Sequence, residues 1–325
     1  MSLSQLDKLE TSAVKQIESG YSKTQRSPFQ KNLKKYLWFY LLAAPGMLYF
    51  IVFKYFPMWG VLLAFQDYSP FLGFSKSPWV GLQQFREFFS NESFFVLLRN
   101  TLMLSLFNLL FYFPFVILLA IMLSELRSIA FKKIIQTVVY LPHFLSWVVV
   151  VGITFIFFGP SGVINHYLAP MIGKELAFMT GTEWFRSLAV FQSIWKDAGW
   201  GTIIFLAAIA GVNPELYEAA TMDGAGRWRR IWHITLPGIK STIIILLVIR
   251  LGHLMDSNFM QVFLMTNPLN QEVSDVIDLY VYRVGLTESH FSYGVAAGLF
   301  NSIIGLILVL LSNHLAKKAG EDGVF

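Results

Sequence analysis

The chain has no cysteine among its 325 residues. That excludes disulfides, zinc–thiolate centres, iron–sulfur ligation and thiol catalysis, and leaves the redox compartment open. Charge is scarce too. Only 14% of the residues are Asp, Glu, Lys or Arg, where soluble chains carry roughly 25%. The six histidines show no HExxH or other paired-ligand spacing, so no metal site is expected. There is no GxxxxGK[ST] phosphate loop. The nearest fragment, Gly173-Lys174-Glu175, lacks the Ser/Thr and the leading glycine. The chain is therefore not expected to hydrolyse ATP, and no catalytic residues are assigned.

What is present is apolar. Hydrophobic residues make up 55% of the chain and aromatics 16%, with 31 Phe. This is the composition of a polytopic membrane protein. A membrane helix needs roughly 20 mostly apolar residues. Six runs qualify: Tyr36–Phe56, Asn100–Leu123, Val138–Phe158, Phe185–Val212, Ser241–Met265 and Tyr293–Ala316. The expected fold is all-α with six transmembrane helices. Pro45, Pro114 and Pro142 lie in or beside these runs, where neighbouring groups can satisfy the freed carbonyls.

No secretory signal is expected, because a polar tail precedes the first apolar run at Tyr36. That tail carries Lys8, Lys15, Lys23, Arg26, Lys31, Lys34 and Lys35. With the N-terminus inside, the other inside segments hold Arg127, Lys132, Lys133, Arg227, Arg229, Arg230, Lys240, Lys317 and Lys318. The outside loops hold only Lys76, Arg86, Arg99, Lys174, Arg186 and Arg283. Cytoplasmic loops carry the excess of Lys and Arg, so both termini are expected in the cytoplasm. The net charge of +5 then reads as a topology signal and a contact with anionic lipid, not as a nucleic-acid footprint.

The expected organisation is a basic tail at 1–35, a first span with an outer loop at 36–93, a membrane core at 94–316 and a short tail at 317–325. Outer loops are expected at Phe65–Arg99 and Asn267–Ser292. The second contains Val276, Leu279, Tyr280 and Arg283 at spacings that suit a short helix.

The inside loop at 213–237 holds more than a connection needs. Asn213-Pro214-Glu215 is a helix start, with Asn as cap, Pro in the first turn and Glu at the positive end. Leu216, Ala219, Ala220 and Asp223 follow at helical spacing, and Gly224 is placed to end the helix in a left-handed turn. A second helix carries Trp228, Ile231 and Trp232 on one stripe and Arg227, Arg229 and Arg230 on other faces, and Pro237 is expected to stop it. Small residues including Ala225 permit close approach, and the tryptophans offer buried aromatic area to a partner. The same amphipathic hairpin would also suit a lipid surface, and these residues alone do not decide between the two.

Glu218-Ala219-Ala220, three residues, Gly224, nine residues and Ile234-Thr235-Leu236-Pro237 match the motif EAA-x3-G-x9-I-x-L-P. The chain thereby resembles the membrane subunits of binding-protein-dependent ABC importers of the type I, MetI-like fold. The resemblance implies that this loop docks on a separate ATP-binding subunit through Glu218, Ala219, Ala220, Asp223, Gly224, Ala225 and Trp228. It implies no cofactor in this chain, with ATP and Mg on the partner subunits. It further implies a second related permease forming a heterodimer, two ATP-binding subunits and an extracytoplasmic solute-binding protein, in a bacterial inner membrane.

Polar residues inside spans are costly and point by default to a pathway. Gln192, Lys196 and Trp200 recur every fourth residue and share a face of span four. Arg250, His253, Ser257 and Gln261 are expected on one face of span five, and Asn301 lies in span six. Such a set suits a hydroxyl-rich solute with negative charge. Its members would equally serve as interhelical bonds, with Lys196 paired to Asp197 or Asp256 and Arg250 to Asp256.

Trp195-Lys196-Asp197-Ala198-Gly199-Trp200, Asn213-Pro214 and the run Asn267-Pro268 through Asp275-Val276-Ile277-Asp278 to Tyr282-Arg283 resemble the carbohydrate branch of the LplB type. Within it the chain is similar to membrane subunits importing alginate and pectin-derived oligosaccharides. The resemblance implies a polyuronate cargo. An ATP-independent secondary transporter, a channel, a permease for a non-sugar solute and a membrane scaffold are the rival readings.

Overall fold

The computed structural model describes residues 35–318 and residue 320. The expected tails at 1–35 and 317–325 lie largely outside the described residues. The chain falls into two compact units, 1–59 and 60–325. In the first, α1 (Leu37–Phe50) contains Pro45. It belongs to a candidate span running Leu37–Phe65, nine residues beyond the expected end at Phe56.

In the second unit the order is α2 (Phe94–Phe107), α3 (Phe113–Ser124), α4 (Ile129–Tyr140), α5 (Trp147–Phe158), α6 (Thr182–Ala210), α7 (Pro214–Met222), α8 (Lys240–Gly252), α9 (Phe259–Met265), α10 (Ile277–Tyr280) and α11 (Phe291–Lys318). Shorter helices lie between them. Among the described residues, four helices are long and apolar enough to cross a membrane, or up to six when each bent pair counts as one span. Those pairs are α6 with α7, bent by 70°, and Arg227–Gly238 with α8, bent by 61°.

Three buried clusters hold the second unit together. One joins Val151, Phe185, Leu188, Val262, Met265 and Val276. Another joins Phe88, Phe94, Leu97, Met255, Ile277 and Ala297. The third joins Tyr112, Phe113, Val116, Ala198, Phe205 and Ile239. Within lipid such contacts act through close packing, since the acyl chains are as apolar as the side chains. Gly199 shows the tightness: a Cβ there would collide with the Val139 carbonyl oxygen of α4.

Proline shapes the spans in two ways. Pro57, Pro114 and Pro237 each follow a π-helical turn, at Ile51–Tyr55, Asn108–Tyr112 and Ile231–Thr235. The wider turn gives the pyrrolidine ring room against the preceding turn, so the helix continues. The expectation that this helix stops at Pro237, before span five, holds to within one residue. Helix persists to Gly238, and the bend falls at Ile239. Pro142 behaves differently. It sits in a 3-10 turn, Leu141–Phe144, and α5 restarts at Trp147 with Ser146 as its cap. The third expected span, Val138–Phe158, is therefore broken near its start.

The larger correction concerns span five. The expected continuous helix, Ser241–Met265, is interrupted between Gly252 and Phe259. Asn258 there adopts φ 55, a left-handed conformation no helix can hold. Both expected outer loops carry helix: Gly73–Lys76 and Gln83–Ser90 in the first, α10 and the π-helical Val281–Thr287 in the second.

Candidate functional site

The loop at 213–237 folds as a helical hairpin. Asn213 Oδ1 accepts the Glu215 N–H at 3.0 Å and caps α7. Gly224 closes it at φ +75. The Gly224 N–H bonds to Thr221 O at 3.0 Å and the Ala225 N–H to Ala220 O at 2.8 Å. This pair of bonds is the Schellman closure that glycine permits. Two side-chain bonds then fasten the second helix to the first. Arg230 Nη1 donates to Thr221 Oγ1 at 3.0 Å, and Tyr217 Oη lies 3.0 Å from Thr235 Oγ1.

The outer surface of this hairpin is open. Glu218, Ala219, Asp223, Gly224 and Trp228 are exposed, and Ala220 and Ala225 are half-buried. Trp228 is 72% exposed, Trp232 64% and Met222 88%. Ile231 is buried, so it does not share the tryptophan stripe as expected. It anchors the hairpin while Trp228 and Trp232 face away.

The polar residues of the spans divide into three groups. Gln192 and Gln261 are fully buried and bonded to each other. Gln261 Nε2 donates to Gln192 Oε1 at 2.9 Å and to Ala189 O at 2.7 Å. Gln192 Nε2 donates to Thr154 Oγ1 at 2.9 Å, and Ser193 Oγ reaches Gln261 Oε1 at 3.3 Å. These side chains join α5, α6 and α9, and are interhelical bonds.

The second group surrounds the break at Pro142. Lys196 Nζ donates to His143 O at 2.7 Å and lies 3.5 Å from Asp197 Oδ1. His143 Nδ1 is hydrogen-bonded to Asp197 Oδ1 at 2.8 Å. Its ring stacks on Trp200, with centroids 4.6 Å apart and planes 6° from parallel. Lys196 thus pairs with Asp197, one of the two partners considered for it. Sequence reasoning missed His143. Its neighbour Pro142 was the available signal, because a proline break frees carbonyls that draw in donors.

The third group surrounds the break in span five. Arg250, His253 and Ser257 do not share a helix face with Gln261, because the backbone changes direction between them. They converge instead on a cavity of about 110 Å³ with Ser105, Asn108, Ser193, Asp197 and Asp256. Arg250 sits over the Tyr112 ring at 4.6 Å. Asp256 bonds to His253 Nδ1 at 2.7 Å, and not to Arg250 as considered.

Asp278 was quoted in the sequence without a role. Its Oδ2 accepts both the N–H and the O–H of Ser257, at 3.2 and 3.0 Å. Its Oδ1 accepts Asn301 Nδ2 at 3.0 Å. Burial pushes this carboxyl above the usual carboxylate value, and the two Ser257 bonds pull it back. Ser257 and Asn301 are therefore occupied in holding the break.

A family model described as "Binding-protein-dependent transport system inner membrane component" matches residues 113–321. The chain is 55% identical over 294 residues to Protein LplB of Bacillus subtilis (strain 168), covering 90% of this chain and 92% of that one. It is 51% identical over 293 residues to the polygalacturonan/rhamnogalacturonan transport system permease protein YteP of the same strain, covering 90% and 91%. Among solved structures it resembles a chain of a bacterial alginate ABC transporter in complex with alginate pentasaccharide-bound periplasmic protein. That match has a TM-score of 0.82 and 42% identity over 90% of this chain and 99% of the other.

Proposed function

The chain belongs to the family of binding-protein-dependent transport system inner membrane components, and from that premise we propose that it forms half of the import pathway for an acidic oligo- or polysaccharide. ATP hydrolysis on partner subunits drives the import. The observation that carries the reading is the cavity between the interruption of span five and the π-helical turn Asn108–Tyr112, with the Arg250 guanidinium on its wall. Irregular backbone at membrane depth is tolerated where it is buried in protein or lines a cavity, and broken helices commonly mark solute sites in transporters. Arg250 supplies a fixed positive charge for a uronate carboxylate, and Trp200, stacked on His143, presents an aromatic face for a sugar ring. The relatives named for polygalacturonan and alginate support a polyuronate cargo.

In this reading the 213–237 hairpin faces the cytoplasm and both termini lie there. Glu218, Ala219, Ala220, Asp223, Gly224, Ala225 and Trp228 seat in a cleft of an ATP-binding subunit, which holds the ATP and Mg. A second, related permease completes the pathway, and an extracytoplasmic solute-binding protein delivers the glycan to the outer loops.

The test is uptake into vesicles containing the chain with its partners. Oligogalacturonate and oligoalginate should enter only with ATP and the binding protein, and a neutral oligosaccharide of equal length should enter far less. Equal entry of the neutral glycan would remove the acidic-cargo reading. Entry without ATP would remove the importer reading.

A further inference from the structure

We propose that Asp278 is a positioning residue that latches the interruption of span five and thereby sets the geometry of the transport cavity. The proposal deepens the importer reading and rests on it.

Residues 253–258 lie outside both helices, with turn bonds only at His253, Leu254 and Asp256, and they present His253, Asp256 and Ser257 to the cavity. Beyond those turn bonds, the segment is tied by two distant elements. Asp278, on the short helix α10, takes the backbone N–H and the hydroxyl of Ser257 on one oxygen. Its other oxygen takes the amide of Asn301 on α11. The same Asn301 amide donates to the Met255 carbonyl at 3.3 Å, so the segment is tied at Met255 as well as at Ser257. Asn301 Oδ1 is left buried without a partner, which shows that its amide is turned to serve Asp278 and Met255.

The chemistry requires a carboxylate. Every group facing Asp278 in this network is a donor, so both of its oxygens must accept. An asparagine side chain in its place brings an NH2 that must face either Ser257 or the Asn301 NH2. A hydrogen bond to a buried charged group is worth more than a neutral one, and leaving its partners unmet costs more again. A latch made this way holds an irregular segment at one geometry where the helical ladder has stopped.

The experiment uses the assembled transporter with its ATP-binding subunits and binding protein, reconstituted in proteoliposomes. Uptake of an acidic oligosaccharide and ATP hydrolysis are measured together for wild type, Asp278→Asn, Ser257→Ala and the exchange Asp278→Asn with Asn301→Asp. In Asp278→Asn, uptake per ATP should fall roughly tenfold, the scale of one lost hydrogen bond to a charged group. ATP hydrolysis should persist. Ser257→Ala should fall less, because its N–H still reaches Asp278. The exchange should recover part of the ratio. The introduced amide would then offer its oxygen to Ser257 and its NH2 to the carboxylate now on α11. If Asp278→Asn does not accumulate, Ser257→Ala and the exchange carry the test through the same ratio.

An unchanged ratio in Asp278→Asn, or uptake and hydrolysis falling in parallel with no recovery in the exchange, overturns the latch. A wild-type assembly with no ATP-dependent uptake overturns the importer reading instead.

Discussion

The Lys196 ammonium donates to the carbonyl oxygen of His143 at 2.7 Å, across 53 residues of sequence. A residue that looked like a pathway cation is thus holding the backbone that Pro142 set free. The Lys196→Met variant should lose stability, because a buried carbonyl and Asp197 lose their donor, at a cost of about 1–3 kcal/mol. Thermal unfolding in detergent measures it. Uptake should fall equally for acidic and neutral glycans. A loss confined to acidic glycans would return Lys196 to the pathway.

Arg250 should behave in the opposite way. It lines the cavity, and among the described residues it makes no ion pair. Its contact with the Tyr112 ring is worth about 0.5–2 kcal/mol, a cation–π contribution. Arg250→Ala should therefore raise the KM for acidic oligosaccharides much more than for neutral ones. Comparable losses for both would make Arg250 a structural residue.

Gly224 separates backbone strain from docking. No atom lies within 4 Å of a Cβ built there, so the hairpin itself leaves room for a side chain. The φ of +75 nonetheless costs an ordinary L residue roughly 1–2 kcal/mol. Asn tolerates that conformation better than Ala. If the open space is a docking surface, Gly224→Asn and Gly224→Asp should both insert normally and both lose substrate-stimulated ATP hydrolysis. If only the turn matters, Gly224→Asn should work nearly as well as wild type.

The Gln192–Gln261 pair gives a control. Gln261→Leu leaves Gln192 Oε1 and Ala189 O without their donor, a loss of about 1–3 kcal/mol. Gln192→Leu should cost a similar amount. The double variant should cost less than the sum, because the bond between them is lost only once. Glycan selectivity should not change in any of the three. A selectivity change would place the pair in the pathway.

Local patterns were legible in the sequence, and distant compensations were not. Four of the six apolar runs each overlap one candidate span and the other two each overlap a bent pair, because lipid demands length and apolarity. Asn213 and Gly224 act where expected, since caps need only their near neighbours. The interruption at 253–258 was illegible because its partners, Asp278 and Asn301, lie 21 and 46 residues away. Assuming one helical period there put Arg250, His253, Ser257 and Gln261 on one face, and the structure divides them between a cavity, a latch and an interhelical bond.

The central claim is that this chain works only as one part of an ATP-driven assembly. Purification of the tagged chain from its own membranes in mild detergent tests it most directly. The account predicts that an ATP-binding subunit and a second permease co-purify in stoichiometric amounts, and that Gly224→Asp loses the first while keeping the second. A chain that purifies alone, even when ATP turnover is trapped, would contradict it.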